Sequence, residues 1–202
     1  MIPRTLISND PAEVRRFVEQ CPSAIVKPIT PMFWNIDDHV RAMATREVTL
    51  ADLQSDSAVS ACPMIYQEKV EKLFELRITF FGDEVVCGRL ESQGHHASRT
   101  DFRTIDPANL AVHEVPLEPA VRWRLDLFRK RAGLLHGSFD LAVDTAGNHI
   151  FFEINEQGQF LWLEEVNPDI RMLDRLVSFM EAPSDDFRWD GRERFAFADW
   201  EA

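Results

Sequence analysis

The chain has 202 residues, 45% of them hydrophobic and 28% charged, enough for one sizeable core or two small lobes of an ordinary globular protein. A formal net charge of −12 argues against broad binding to nucleic acid or an acidic membrane, yet leaves room for a local basic pocket that takes phosphate. No stretch resembles a signal peptide or is long enough to span a bilayer. Cys21, Cys62 and Cys87 are isolated, with no CxxC pair, which argues against a disulfide framework or zinc site and for a cytoplasmic setting.

In chain order, Asn9-Asp10-Pro11 signals a helix start, and Ala12 to Gln20 fits a short amphipathic helix. Ser23 to Pro28 reads as a buried strand ending at Lys27, and Pro28 and Pro31 make Ile29 to Asn35 a loop. Val48-Thr49-Leu50 and Met64 to Val70 are strand-like, with a turn or short helix over Asp52 to Asp56. Glu75 to Phe81 alternates, Gly82-Asp83 turns, and Glu84 to Leu90 returns as its partner. Gly94 to Thr100 is polar and irregular, a candidate lid or a connector, and contains His95 and His96.

Pro119 to Ala132 is the clearest helix. Leu125, Leu127 and Phe128 form its apolar side, Arg122, Arg124, Arg129 and Lys130 its wet side, and Gly133 ends it. Pro168 to Met180 is a second amphipathic helix, and residues 182–202 read as an acidic-aromatic tail, loosely docked or awaiting a partner. Hairpins dominate, which predicts an α+β fold rather than a doubly wound sheet.

The segment richest in chemistry is Gly137 to Gln159, GSFDLAVDTAGNHIFFEINEQGQ. Period-two alternation sends Glu153 and Asn155 to one face, and the turn at Asp144 to Asn148 can return Asp140 beside them. Two carboxylates and an amide form an oxygen donor set suited to Mg²⁺ that also holds a phosphate; a merely solvated hairpin face is the plain alternative. Lys27, Glu75, Arg77 and Arg103 add the basic and acidic groups that a nucleoside triphosphate needs.

With these residues in hand, the chain resembles the ATP-grasp ligases, and within them the maturases that cyclise microviridin-type ribosomal peptides. The resemblance rests on IVKP at 25–28, PMIYQEKVEKLFELRITFFGDEV at 63–85, TDFRT at 100–104, GSFDLAV at 137–143 and FFEINEQGQFLWLE at 151–164. It implies an ATP-grasp fold, two α+β lobes with antiparallel sheets gripping a nucleotide. Residues 1–9 would be linker-like, 10–70 a small central lobe, 71–181 a C-terminal lobe and 182–202 the tail.

By the same resemblance Lys27 would reach the phosphates, and Gln67, Glu68, Lys69 and Val70 would form the adenine-binding hinge, largely through main-chain groups. Glu75 would hold the ribose, Arg77 and Arg103 would face phosphate or acyl phosphate, and Asp140, Glu153 and Asn155 would bind Mg²⁺. Ion pairs of the two arginines with Glu75 or Asp101 are the plain alternative.

The implied cofactors are ATP and Mg²⁺. The implied reaction is carboxylate–amine or carboxylate–hydroxyl ligation on a precursor peptide, with no nucleic-acid or membrane partner. The family's N-terminal lobe of roughly a hundred residues has no counterpart in the matched segment. A second copy or a partner chain supplying it, a nucleotide- or peptide-binding module without catalysis, and a ligase of the glutamate-adding or glutathione-synthesising kind therefore stay open. Two departures stand out. Glu156 follows Asn155 where these maturases have proline, and Thr30-Pro31-Met32-Phe33-Trp34 is bulky where small residues usually wrap phosphate.

Overall fold

The computed structural model describes residues 1–30, 33–36, 39–94, 99–104 and 109–200, with the backbone alone for 33–36, 39–42 and 200. Two compact units form: one is Ile2–Glu71 with Gly94–Ile105, the other Lys72–Gln93 with Asp106–Ala202 and Met1.

The first unit carries β1 (Thr5–Ser8), α1 (Pro11–Gln20), β2 (Ala24–Pro28), β3 (Phe33–Ile36), β4 (His39–Ala42), β5 (Arg46–Val48), α2 (Asp56–Ser60) and β6 (Met64–Glu68). Its four-stranded antiparallel sheet runs β1-β6-β2-β5, and β3 and β4 pair as a separate ribbon. Asp10 caps α1 by accepting from the N–H groups of Ala12 at 2.8 Å and Glu13 at 2.9 Å, with Pro11 at the first helical position. Val14 and Val18, one turn apart, then bury against Ala24, Val26, Met64 and Tyr66.

Two expectations change here. Residues 5–8, read from sequence as linker, form β1, because Thr5 to Ser8 complete the open edge of β6. The span 29–35, read as loop, ends in β3, whose pairing with β4 satisfies its backbone groups. Pro31 and Met32 of the bulky segment, and His95 and His96 of the proposed lid, lie outside the described residues.

The second unit carries β7 (Lys72–Phe81), β8 (Glu84–Leu90), β9 (Val112–Glu114), α3 (Pro119–Ala132), β10 (His136–Asp144), β11 (His149–Asn155), α4 (Trp162–Val166) and α5 (Met172–Glu181). Its antiparallel sheet runs β11-β10-β7-β8-β9. One face, with Leu76, Ile78, Phe80, Phe139, Leu141 and Val143, packs with Val121 and Leu125 of α3. On the other face, Leu163 of α4 meets Gly88, while Phe160 and Phe179 meet Phe81.

Arg129, assigned from sequence to the wet side of α3, is instead only 2% exposed. Its charge is met by Asp126 at 2.7 Å and Asp185 at 2.5 Å, and its guanidinium lies 5.7 Å from the Phe80 ring centre. The second predicted amphipathic helix is split. Pro168–Ile170 makes a 3₁₀ turn, Arg171 takes a left-handed conformation with φ 54°, and α5 starts at Met172.

The C-terminal segment is docked rather than free. The fully buried Asp174 accepts from the N–H groups of Arg194 and Phe195 at 2.9 and 2.8 Å, and Glu164 accepts from Phe197 N–H at 2.6 Å. Among the described residues no helix is long and apolar enough to cross a membrane.

Candidate functional site

Strand alternation builds one polar sheet face in the second unit. Along β7, Leu76, Ile78 and Phe80 turn toward α3, so Glu75, Arg77 and Thr79 turn the other way. Antiparallel register then lines up partners across the sheet: Gly88, Arg77, Asp140 and Glu153 form one row. Thr79, Ser138 and Asn155 form the next row, two residues along. Asp140, Glu153 and Asn155 therefore share a face, as the alternation predicts.

A register shift between Asp140 and Leu141 adds a detail that strict alternation misses. Leu141 pairs with Phe151, so the Phe151 ring joins Phe128 and Phe139 in the apolar layer while Glu153 stays on the polar face.

Arg77 sits at the centre of this face, 7% exposed. Its Nη1 donates to Asp140 Oδ2 at 2.5 Å, and its Nη2 donates to the carbonyls of Gly158 and, at 3.0 Å, Gln159. Desolvation raises the pKa of Asp140; Arg77 opposes that shift, and the charges of Glu153 and Glu75 add to it. Glu75 itself pairs with Lys72 at 2.9 Å. The ion pair formed by Arg77 is thus with Asp140 rather than Glu75.

Asn155 ends β11 in a tight turn. Its Oδ1 accepts from Gln157 N–H at 3.0 Å, its carbonyl from Gly158 N–H at 3.1 Å, and its Nδ2 donates to Gln159 Oε1 at 3.0 Å. The backbone N–H fixes which end of the amide is oxygen, and an sp² oxygen keeps a second lone pair for another partner.

Among the described residues no group of three or more His, Cys, Asp or Glu side chains is gathered to hold a metal ion. A cation on this face would instead rest on two carboxylates and an amide. That donor set fits Mg²⁺: all three are hard oxygens, and Glu153 is exposed. The residual negative charge around Asp140 is also what a divalent cation would neutralise.

In the first unit, Ile25 pairs with Gln67 and Lys27 with Ile65. Ala24, Val26, Met64 and Tyr66 face the helices, so Lys27 and Gln67 share the opposite face. Among the described residues the Lys27 ammonium has no ion-pair partner. Gln67 is 5% exposed and donates to Thr5 Oγ1 at 2.8 Å.

The Glu68 and Lys69 N–H groups are engaged by the carbonyls of Arg4 at 2.9 Å and Ser23 at 3.0 Å. Among the described residues the Val70 N–H has no backbone acceptor. The Lys69 ammonium pairs with Glu47 and Glu71, and the Glu47 hydrogen bond raises its pKa.

Arg103 grips Asp101 with two bonds, Nε to Oδ1 at 2.8 Å and Nη2 to Oδ2 at 2.7 Å, with two-thirds of its own side chain exposed. Desolvation pushes the Asp101 carboxyl up. The Arg103 contacts and the N–H groups of Thr45 and Arg103 outweigh that and hold it at about 2. The ion-pair alternative weighed for Arg103 is thus present in the fold.

Sequence reasoning missed the segment 158–162 as a support for this face. The Gln159 carbonyl accepts from both Arg77 Nη2 and Trp162 Nε1, each at 3.0 Å, and Gln159 adopts φ 47°, a left-handed conformation uncommon for a residue with a Cβ. The Gly158-Gln159 pair after a strand was the available signal.

No family profile and no curated protein matches the sequence. Solved structures do. A RiPP-associated ATP-grasp ligase of Chryseobacterium gregarium, in complex with ADP and a leader and core peptide, is 28% identical over 93% of this chain and 57% of its own, with a TM-score of 0.80. The macrocyclase MdnC of Microcystis aeruginosa MRC, bound with precursor peptide MdnA, is 26% identical over 91% of this chain and 55% of its own, at 0.75. The ATP-grasp ligase PsnB, complexed with a phosphomimetic variant of its minimal precursor, Mg and ADP, is 23% identical over 81% and 48%, at 0.62, and speaks to the fold alone. The chain thus spans about half the length of these solved relatives.

Proposed function

This chain has the ATP-grasp fold, in the form shared by RiPP-associated ATP-grasp ligases, and from it we propose an ATP- and Mg²⁺-dependent ligase that joins a carboxylate to an amine or hydroxyl of a peptide. The observation that carries this reading is the Arg77–Asp140–Glu153 row with Asn155 beside it, a cationic group and three oxygen donors on one sheet face. The ADP with leader and core peptide in the Chryseobacterium ligase complex, and the precursor peptide bound to MdnC, support the nucleotide and the peptide substrate.

In this reading a peptide carboxylate attacks the γ-phosphorus of ATP, the bond to the β,γ-bridging oxygen breaks, and ADP leaves. An amine or hydroxyl of the peptide then adds to the acyl phosphate carbonyl, loses its proton and expels phosphate, forming an amide or ester. Asp140, Glu153 and Asn155 would hold Mg²⁺, which when bound neutralises negative charge on the polyphosphate. Lys27 would bring its ammonium to the phosphates. Arg77, fixed by carbonyls on one side, would present a guanidinium to developing negative charge, as would Arg103. Gln67 would back the hinge, where the Val70 N–H and the Glu68 and Lys69 carbonyls would take the adenine edge. Glu75 would accept from ribose hydroxyls.

The test is a thermal shift with ADP, with and without Mg²⁺, followed by ADP release assayed with candidate precursor peptides. Stabilisation that requires both ADP and Mg²⁺, followed by peptide-dependent turnover, is expected, because a ligand that binds only the folded state raises its apparent stability. No stabilisation under any condition overturns the reading. Stabilisation without turnover makes the chain a nucleotide-binding module that works with a partner.

A further inference from the structure

Gln159 links two residues of the candidate metal face, Asn155 through its side chain and Arg77 through its main-chain carbonyl. Its side-chain Oε1 takes the Asn155 Nδ2 proton at 3.0 Å. Its main-chain carbonyl takes protons from Arg77 Nη2 and Trp162 Nε1, each at 3.0 Å. The side chain is exposed, so burial of apolar surface does not hold it there, and φ 47° carries a cost that a glycine would avoid.

The bond to Asn155 has a specific chemical consequence. An amide rotated by half a turn would present –NH₂ where a cation needs oxygen, and a donor nitrogen cannot ligate. The Gln157 N–H on Oδ1 sets which end of the Asn155 amide is oxygen, and Gln159 Oε1 on Nδ2 holds the same orientation from the other end.

We propose that Gln159 is a positioning residue for the metal: it locks the Asn155 amide with Oδ1 toward the cation and, through its carbonyl, ties that amide to the Arg77–Asp140 pair. This rests on the Mg²⁺ reading of the face and adds a residue to it. Partners that orient a metal ligand typically contribute about ten- to a hundredfold in affinity. The left-handed backbone at Gln159 aims its carbonyl at Arg77 while its side chain returns toward β11.

The test is Mn²⁺ titration of the full chain with ADP, reading free ion from its EPR signal, for wild type, Gln159→Met and Gln159→Gly. Methionine keeps the length and removes the acceptor; glycine suits φ 47° and keeps the carbonyl but also removes the acceptor. Both variants are expected to bind Mn²⁺ about tenfold or more weakly. Glycine should do so with an unfolding midpoint no lower than that of wild type, a combination that a purely structural role would not give. Wild-type affinity in both variants, or in Gln159→Gly alone, overturns the proposal. Absence of Mn²⁺ binding by the wild-type chain removes the metal reading itself, whereas wild-type binding that survives Gln159→Met removes only the role of Gln159.

Discussion

Arg77 and Asp140 face each other across the β7–β10 pairing, Nη1 to Oδ2 at 2.5 Å, in the same row as Glu153. Burial, and then the charges of Glu153 and Glu75, raise the Asp140 pKa, and Arg77 opposes that shift without cancelling it. Arg77→Met leaves Asp140 among Glu153 and Glu75 without a counter-ion and strips donors from the Gly158 and Gln159 carbonyls. Loss of about 3 kcal/mol is expected at neutral pH, measured by urea unfolding. In Arg77→Met/Asp140→Leu the unpaired charge is gone, so the double variant should be markedly more stable than the sum of the two single losses.

Gly158→Ala tests the turn that supports Arg77. The backbone there has φ +82°, and an added Cβ would lie 2.5 Å from Phe160 Cδ1 and 2.7 Å from His136 Nε2. A left-handed alanine in a filled space should cost about 1–3 kcal/mol and lower the thermal midpoint.

Asp101 gives an acid-side prediction. Its carboxyl is held at about 2 in the fold, against about 4 in an unfolded chain, so the folded state gains stability above pH 4 that disappears as pH falls toward 2. Asp101→Asn should therefore be about 2 kcal/mol less stable than wild type at neutral pH, with the gap closing across that acid window. Urea midpoints of the two proteins at stepped pH check it.

Cys87 gives the alkaline counterpart. Burial pushes its thiol up to about 12, while an unfolded cysteine ionises near about 8.5. Above that value the unfolded chain sheds a proton that the folded one keeps, so stability falls with rising pH. Cys21 and Tyr66 are raised by burial as well, so the difference between wild type and Cys87→Ala isolates the effect. That difference should shrink steadily as pH climbs above about 8.5.

Much of the candidate face was legible because strand chemistry has period two. Glu75 and Arg77, and likewise Glu153 and Asn155, sit two apart, and the hairpin turn brings Asp140 alongside the second pair. The α+β class followed from the hairpins. Features fixed by tertiary partners were not legible. Arg129 looks like a surface residue of α3, and its burial relies on Asp185, 56 positions away, as well as on Asp126 in the same helix. The bulge opposite Asp140 and the left-handed Gln159 leave no period to read. The C-terminal segment lacks alternation because its backbone N–H groups, not its side chains, bind the Asp174 and Glu164 carboxylates.

The central claim is that Asp140, Glu153 and Asn155 form the cation site of a bound nucleotide. Calorimetric titration of ADP with Mg²⁺ into wild type, Asp140→Asn and Glu153→Gln, each first shown to keep its circular dichroism spectrum, tests it most directly. The account predicts Mg²⁺-dependent ADP binding by the wild type and its loss in both variants. Wild-type affinity and Mg²⁺ dependence in both variants would contradict it.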